Sequence, residues 1–186
     1  MSIYEQVRNQ FWPHGDSRRD IWAVLDCARD SSAARFVMHS GSESECLFAG
    51  ELDPDLRLAS PFLIRVEFDD RKSIRMIEES WGASWGIFLK ADLGVKTLRR
   101  HLRTLLRVRD PQGKFLLFRY YDPRVLRVYV PECTAAELAV FTGPVAKWWA
   151  EDCLEGDGTG PSRMLCFDAS IAGDVRKSSF VCRQDV

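Results

Sequence analysis

Three histidines and six cysteines are the side chains best suited to nucleophilic or metal chemistry in this chain. His14, His39 and His101 form no H-E-x-x-H or H-x-H pair, and Cys27, Cys46, Cys133, Cys153, Cys166 and Cys182 include no C-x-x-C. A zinc site built on Cys46 and His39 matches no closed structural spacing, so neither a metal nor a cofactor is expected. A Cys–His nucleophile needs two side chains that meet in space, which leaves a small cryptic hydrolase open as an alternative. Neither a Gly-x-Ser-x-Gly elbow nor a Gly-x-x-x-x-Gly-Lys-Ser/Thr phosphate loop is present. The stretch Gly156-Asp157-Gly158-Thr159-Gly160 has the wrong spacing for a dinucleotide fingerprint and reads as a flexible surface loop. His101 lies beside an apolar helical stripe and reads as a partly buried, hydrogen-bonded structural histidine. No residue is assigned a catalytic role, and the chain is not expected to be an enzyme.

Binding chemistry is better represented. Lys96, Arg99, Arg100, Arg103, Arg107 and Arg109 place a basic face on one segment. Such a face suits phosphates or an acidic protein. The net charge of −1, and the lack of a helix-turn-helix or an RNA-binding aromatic signature, turn the reading from nucleic acid toward a solvated face or a docking face for an acidic protein partner. Aromatic residues are abundant, with six Trp, 11 Phe and four Tyr. Plain core is the first reading of so many aromatics, but adjacent strand residues point to opposite faces, so Trp148-Trp149 looks hard to bury completely and a partner surface stays open. Arg and Trp are also the residues enriched at interface hot spots. Arg99, Arg103, Trp148 and Trp149 are therefore the candidate partner-binding residues. In Arg119-Tyr120-Tyr121-Asp122-Pro123-Arg124, the Asp-Pro step starts a turn or helix, and two arginines flank the carboxylate within bidentate reach.

The elements that must position these residues follow from periodicity. Ile3, Val7 and Phe11 give the segment Ser2 to Trp12 one apolar helical face. Ile21 to Leu25, Phe62 to Val66 and Gly86 to Leu89 are short apolar runs that suit strands buried on both faces. Ser31 to His39 predicts a helix capped by Ser31 or Ser32, and another begins near Asp70. Gly94 to Arg107 is the strongest helix, with Leu98, Leu102, Leu105 and Leu106 as its stripe. Asp110-Pro111-Gln112-Gly113 is a turn, Phe115 to Phe118 a strand, and Thr134 with Glu137 a capping box before Ala135 to Phe141. Strands separated by helices predict an α/β fold with a mixed or mostly parallel sheet flanked by helices. The tail, with one late strand at Met164 to Phe167, predicts a small C-terminal lobe or arm.

A length of 186 residues suits one domain, drawn here as a core over 1–154 and a short C-terminal extension over 155–186. The composition, 46% hydrophobic and 28% charged, is that of an ordinary globular protein. The longest uncharged run in the middle of the chain, Ser80 to Leu89, is far short of the ~20 apolar residues that span a bilayer, so no membrane partner is expected. The first residues show no basic flank and no apolar stretch, which reads as a cytoplasmic protein with reduced thiols. Residues 1–93 carry 11 basic and 16 acidic side chains, and residues 94–186 carry 15 and 11, so the halves differ in sign.

Several blocks, in order, resemble a known family. They are Trp22 to Ala28, Leu47 to Gly50, Ser60 to Ile64, Trp85 to Leu89, His101 to Leu106, Arg119 to Leu126, and Phe141 to Val145 with Trp148. Over roughly residues 20 to 150 the chain resembles the bacterial type VI secretion effector chaperone, or adaptor, family, known as domain of unknown function 4123. The Arg-Tyr-Tyr-Asp-Pro-Arg block after a His-Leu-Arg helix is the most specific part. The resemblance implies a non-enzymatic cytosolic protein that binds one cognate toxin effector and helps load it onto the spike, or valine-glycine repeat, protein. It carries over no catalytic residue. Arg119, Tyr120, Tyr121, Asp122, Pro123, Arg124, His101 and Trp85 are its signature positions, expected to be structural. A binding or immunity module of another kind is the competing reading.

Overall fold

Ser2 opens the first helix, α1 (Ile3–Phe11), through a capping box with Glu5. The computed structural model describes residues 2–13, 20–153, 162–171 and 174–182. After α1 come β1 (Ile21–Asp26), α2 (Ser31–His39), β2 (Ser44–Cys46), α3 (Pro54–Leu58), β3 (Pro61–Val66), α4 (Arg71–Ser80) and β4 (Gly86–Lys90). The second half contains α5 (Val95–Leu105), β5 (Arg107–Arg109), β6 (Phe115–Leu117), α6 (Pro123–Glu132) and α7 (Ala135–Thr142). It ends with β7 (Lys147–Cys153), β8 (Ser162–Ile171) and β9 (Asp174–Cys182). The expected helices are present, but α2 is capped by Asp30, whose carboxylate accepts the Ser32 N–H at 2.7 Å. Asp outcompetes the serines because its acceptor is charged and already one step outside the helix.

Seven strands form one sheet in the order β2-β3-β1-β4-β7-β8-β9, and every pairing is antiparallel. The expectation of a mixed or mostly parallel sheet is therefore wrong. It rested on continuous apolar runs, which report burial on both faces and not strand direction. Here helices cover both faces of an antiparallel sheet, so its inner strands read as parallel ones do. The expected C-terminal lobe or arm is corrected too, because β8 and β9 extend the main sheet. β8 pairs with β7 from Lys147↔Asp168 to Cys153↔Ser162. β5 and β6 form a separate two-stranded ribbon.

Side chains alternate across the sheet into two cores. Ile21, Ala23, Leu25, Phe88, Trp149 and Met164 point to the side covered by α1, α2 and α4. Trp22, Val24, Ile87, Leu89, Trp148 and Leu165 point to the side covered by α5 and α6. The Phe11 ring of α1 lies tilted with its centroid 4.9 Å from that of Trp149, and Phe141 stacks on Trp148 at 4.5 Å. Asp152 of β7 takes Arg127 of α6 and Arg163 of β8, each at 2.7 Å, tying the helical layer to the sheet.

Gly86 occupies a close approach at the centre of this sheet. A Cβ there would lie 1.9 Å from the Val24 carbonyl oxygen on β1. Backbone in a central strand has little room to yield. Gly86→Ala is expected to cost about 3 kcal/mol, read as a lower urea midpoint at unchanged slope.

Candidate partner-binding site

The Arg119–Arg124 block folds into a charge cluster that links three elements. Asp122 is the N-cap of α6, accepting the Arg124 N–H at 3.0 Å, and Pro123 supplies the first helical position. The Arg124 guanidinium binds the same carboxylate through Nε at 2.9 Å and Nη2 at 2.6 Å. Arg119 donates to Asp26, at the end of β1, at 2.5 Å and lies 3.8 Å from Asp122. Both carboxylates are buried, while the two guanidiniums remain nearly half exposed. Burial pushes the Asp122 carboxyl up, but the Arg124 hydrogen bonds and both guanidinium charges outweigh it and hold it below the usual carboxylate range. Tyr120 is fully buried, and its hydroxyl donates to the Leu102 carbonyl of α5 at 3.1 Å. Tyr121 packs edge-on against it. The block is a staple between β1, α5 and α6.

His101 and Trp85 sit in similar structural seats. His101 Nε2 is 3.1 Å from the Phe141 carbonyl, which requires the proton on that nitrogen. Its ring fills the space where Gly143 would carry a Cβ, 2.4 Å from Cε1, and Gly143 has φ +48°. Two distant sequence blocks thus interlock through one ring and one glycine. The Trp85 indole is buried and donates to the Asp30 carboxylate at 3.1 Å, supporting the α2 cap.

The candidate contact residues separate into different roles. Trp148 and Trp149 have no exposed surface, since adjacent positions on β7 enter opposite cores that are both covered. They cannot serve a docking face, and Trp149→Ala would instead remove about 3–5 kcal/mol of stability. Arg99 is committed to the edge of the sheet. It donates to the carbonyls of Cys46 at 2.7 Å and Phe48 at 3.3 Å, with Glu45 at 3.7 Å. Arg103 is partly buried, and Lys96, Arg100, Arg107 and Arg109 are exposed. None of Arg100, Arg103, Arg107 and Arg109 pairs with a carboxylate among the described residues.

Sequence reasoning missed the exposed apolar surface beside these cations. Phe115, Leu116 and Leu117 of β6 and Val108 of β5 are exposed, and Val140 of α7 is 73% exposed. The helix α7, Ala-Ala-Glu-Leu-Ala-Val-Phe-Thr, buries only Phe141 and Thr142 although its composition is apolar nearly all round. A helix of that kind is normally covered. Between ribbon and helix runs a groove of about 400 Å³, lined by Leu105, Val108, Phe118, Tyr129, Val140 and Phe141 among others. The available signal was the absence of alternation in Phe115 to Phe118 together with the lack of a polar face on α7.

Reactive chemistry is poorly supported by comparison. Burial pushes the Cys27 thiol up to about 12 and also raises Cys133 and Cys166, which keeps these thiols protonated at neutral pH. Among the described residues no three His, Cys, Asp or Glu side chains converge on a metal position, and Cys46 and His39 do not join in one. His14 and the Gly156 to Pro161 loop lie outside the described residues. No described helix is long and apolar enough to cross a membrane.

Two outcomes follow for the staple. Asp122→Ala is expected to cost about 2 kcal/mol, combining a lost cap with an ion pair that water partly screens; chemical denaturation checks it. Desolvation lowers the His101 pKa below 6.5, although its backbone hydrogen bonds act the other way. The unfolded chain therefore takes up the proton first, so stability falls as pH drops below about 6.5. His101→Gln should remove that part of the pH dependence in melts between pH 7.5 and 5.

A search of the curated proteins and of the solved structures found no match. Residues 21–139 match the model of one family, described as Domain of unknown function (DUF4123). The match spans β1 to α7 and so contains the staple, the basic helix, the ribbon and most of the groove. By that match the chain belongs to the DUF4123 family, which is associated with effector adaptors of type VI secretion.

Proposed function

We propose that this chain is a non-catalytic adaptor that works in the cytoplasm. In this reading it binds one cognate secreted effector and helps load it onto the spike, or valine-glycine repeat, protein. Family membership supplies the class of partner. The observation that carries the reading is the uncovered apolar helix α7 beside the exposed β5–β6 ribbon, an arrangement suited to burial against another protein. The buried thiols and the staple, whose charges are spent on one another, fit a scaffold better than a catalyst.

Co-expression with candidate effector and spike proteins, sought among the genes that neighbour this chain's own, tests the proposal. The expected result is a stable complex with the effector, surviving gel filtration at physiological salt. Omission of the chain should then reduce the effector's secretion and its recovery on the spike. A wild-type chain that retains neither effector nor spike would overturn the adaptor reading.

A further inference from the structure

We propose that the groove between the β5–β6 ribbon and α7 is the effector-docking site, and that it takes an acidic segment carrying large apolar side chains. This rests on the adaptor reading and specifies its contact surface. The groove has a floor of Phe118, Tyr129 and Phe141, whose rings are fixed by mutual contacts of 4.6 and 5.4 Å. Val108 and Val140 stand on its two walls, exposed, where an incoming apolar side chain would bury them. A rigid aromatic floor with little ordering left to do is favourable for an anchor residue.

The sign of the partner's charge follows from what surrounds the groove. Residues 94–109 hold six Lys or Arg and no Asp or Glu. Arg107 lines the groove directly, and Arg107 and Arg109 both lie over the Phe115 ring, at 4.1 and 4.4 Å. Two carboxylates of the ribbon turn and the groove wall are held by hydrogen bonds of their own elements. Asp110 accepts the backbone N–H groups of Gln112 at 3.0 Å and Lys114 at 2.8 Å, closing the ribbon's turn. Glu137, on the groove wall, accepts from the backbone and hydroxyl of Thr134 in the α7 capping box. Arg103, Arg107, Arg109 and Lys114 are thus left without a carboxylate among the described residues. An acidic partner gains on-rate and orientation from these cations, and its apolar side chains supply the affinity.

The two-stranded ribbon supports the same conclusion. A lone hairpin is marginal in water, and this one exposes both faces, with Phe115 and Leu117 on one and Val108 and Leu116 on the other. A second copy of this chain would bring a second set of cations to the same groove, so self-association is disfavoured there.

The test uses the co-purified complex with the effector identified by that co-expression. Val140→Asp and Leu116→Asp change exposed residues, and melts are to check that the fold is retained. Each is expected to weaken effector binding at least tenfold. Arg107→Glu/Arg109→Glu should weaken it and flatten its dependence on salt between 50 and 500 mM. Leu56→Asp, an exposed leucine on α3, should leave it unchanged. Undiminished binding by all three groove variants overturns the groove and leaves the adaptor reading standing. An absent complex with the wild-type chain overturns both. An unbound chain that is dimeric, and becomes monomeric with Val140→Asp, makes a second copy the occupant and overturns the acidic partner.

Discussion

Burial of the central strands on both faces is the constraint on which the rest of this structure depends. β1, β4 and β7 lie inside a seven-stranded sheet, and every side chain described on β1 is buried. Such strands need a helical layer on each side, because apolar side chains leave both faces. The pair Trp148-Trp149 shows the requirement in two residues. One indole belongs to each core, and each core needs its own helices to seal it. At roughly 25 cal/mol per Å² of buried area, a tryptophan contributes about 5 kcal/mol of transfer free energy. Uncovering either face would therefore remove a large share of a small domain's net stability.

The second helical layer is the more elaborate of the two. It is joined to the sheet by side chains whose hydrogen-bonding capacity is spent internally. Asp26, Arg119, Asp122 and Arg124 balance two buried carboxylates against two guanidiniums. Tyr120 reaches the α5 backbone, and His101 reaches the α7 C-terminus. The effect is to hold α5, α6 and α7 in one fixed arrangement above β1, β4 and β7. Rigid support of that kind is what a docking face needs, since less ordering is then lost on binding.

That arrangement also explains why the exposed surface is where it is. α7 follows α6 after only Cys133 and Thr134, and its last turn is anchored by Phe141 and Thr142. The helix is thereby held at the rim, with Ala136 and Val140 facing the groove and the ribbon opposite. The basic stretch that begins on α5 continues into β5, so charge and apolar area meet at one place. Arg99 is the exception in that stretch, because its guanidinium is taken by carbonyls at the sheet edge.

Much was legible in the chain because it was local. The stripe of α5, the apolar face of α1, the capping box of α7, the Asp110–Gly113 turn and the helix start at Asp122 all depend on residues within a few turns of each other. The ordered motif blocks pointed to the family, whose model then matched residues 21–139. Strand direction was not legible, since two-sided burial produces the same apolar runs in parallel and antiparallel sheets. Nor was the fate of Trp148, Trp149 and Arg99, because exposure is set by which elements lie above a residue and not by its neighbours in sequence. The groove was decided in the same way. It exists only because a ribbon and a helix, separated along the chain by α6, are brought to opposite sides of Phe118, Tyr129 and Phe141 by packing that no local pattern encodes.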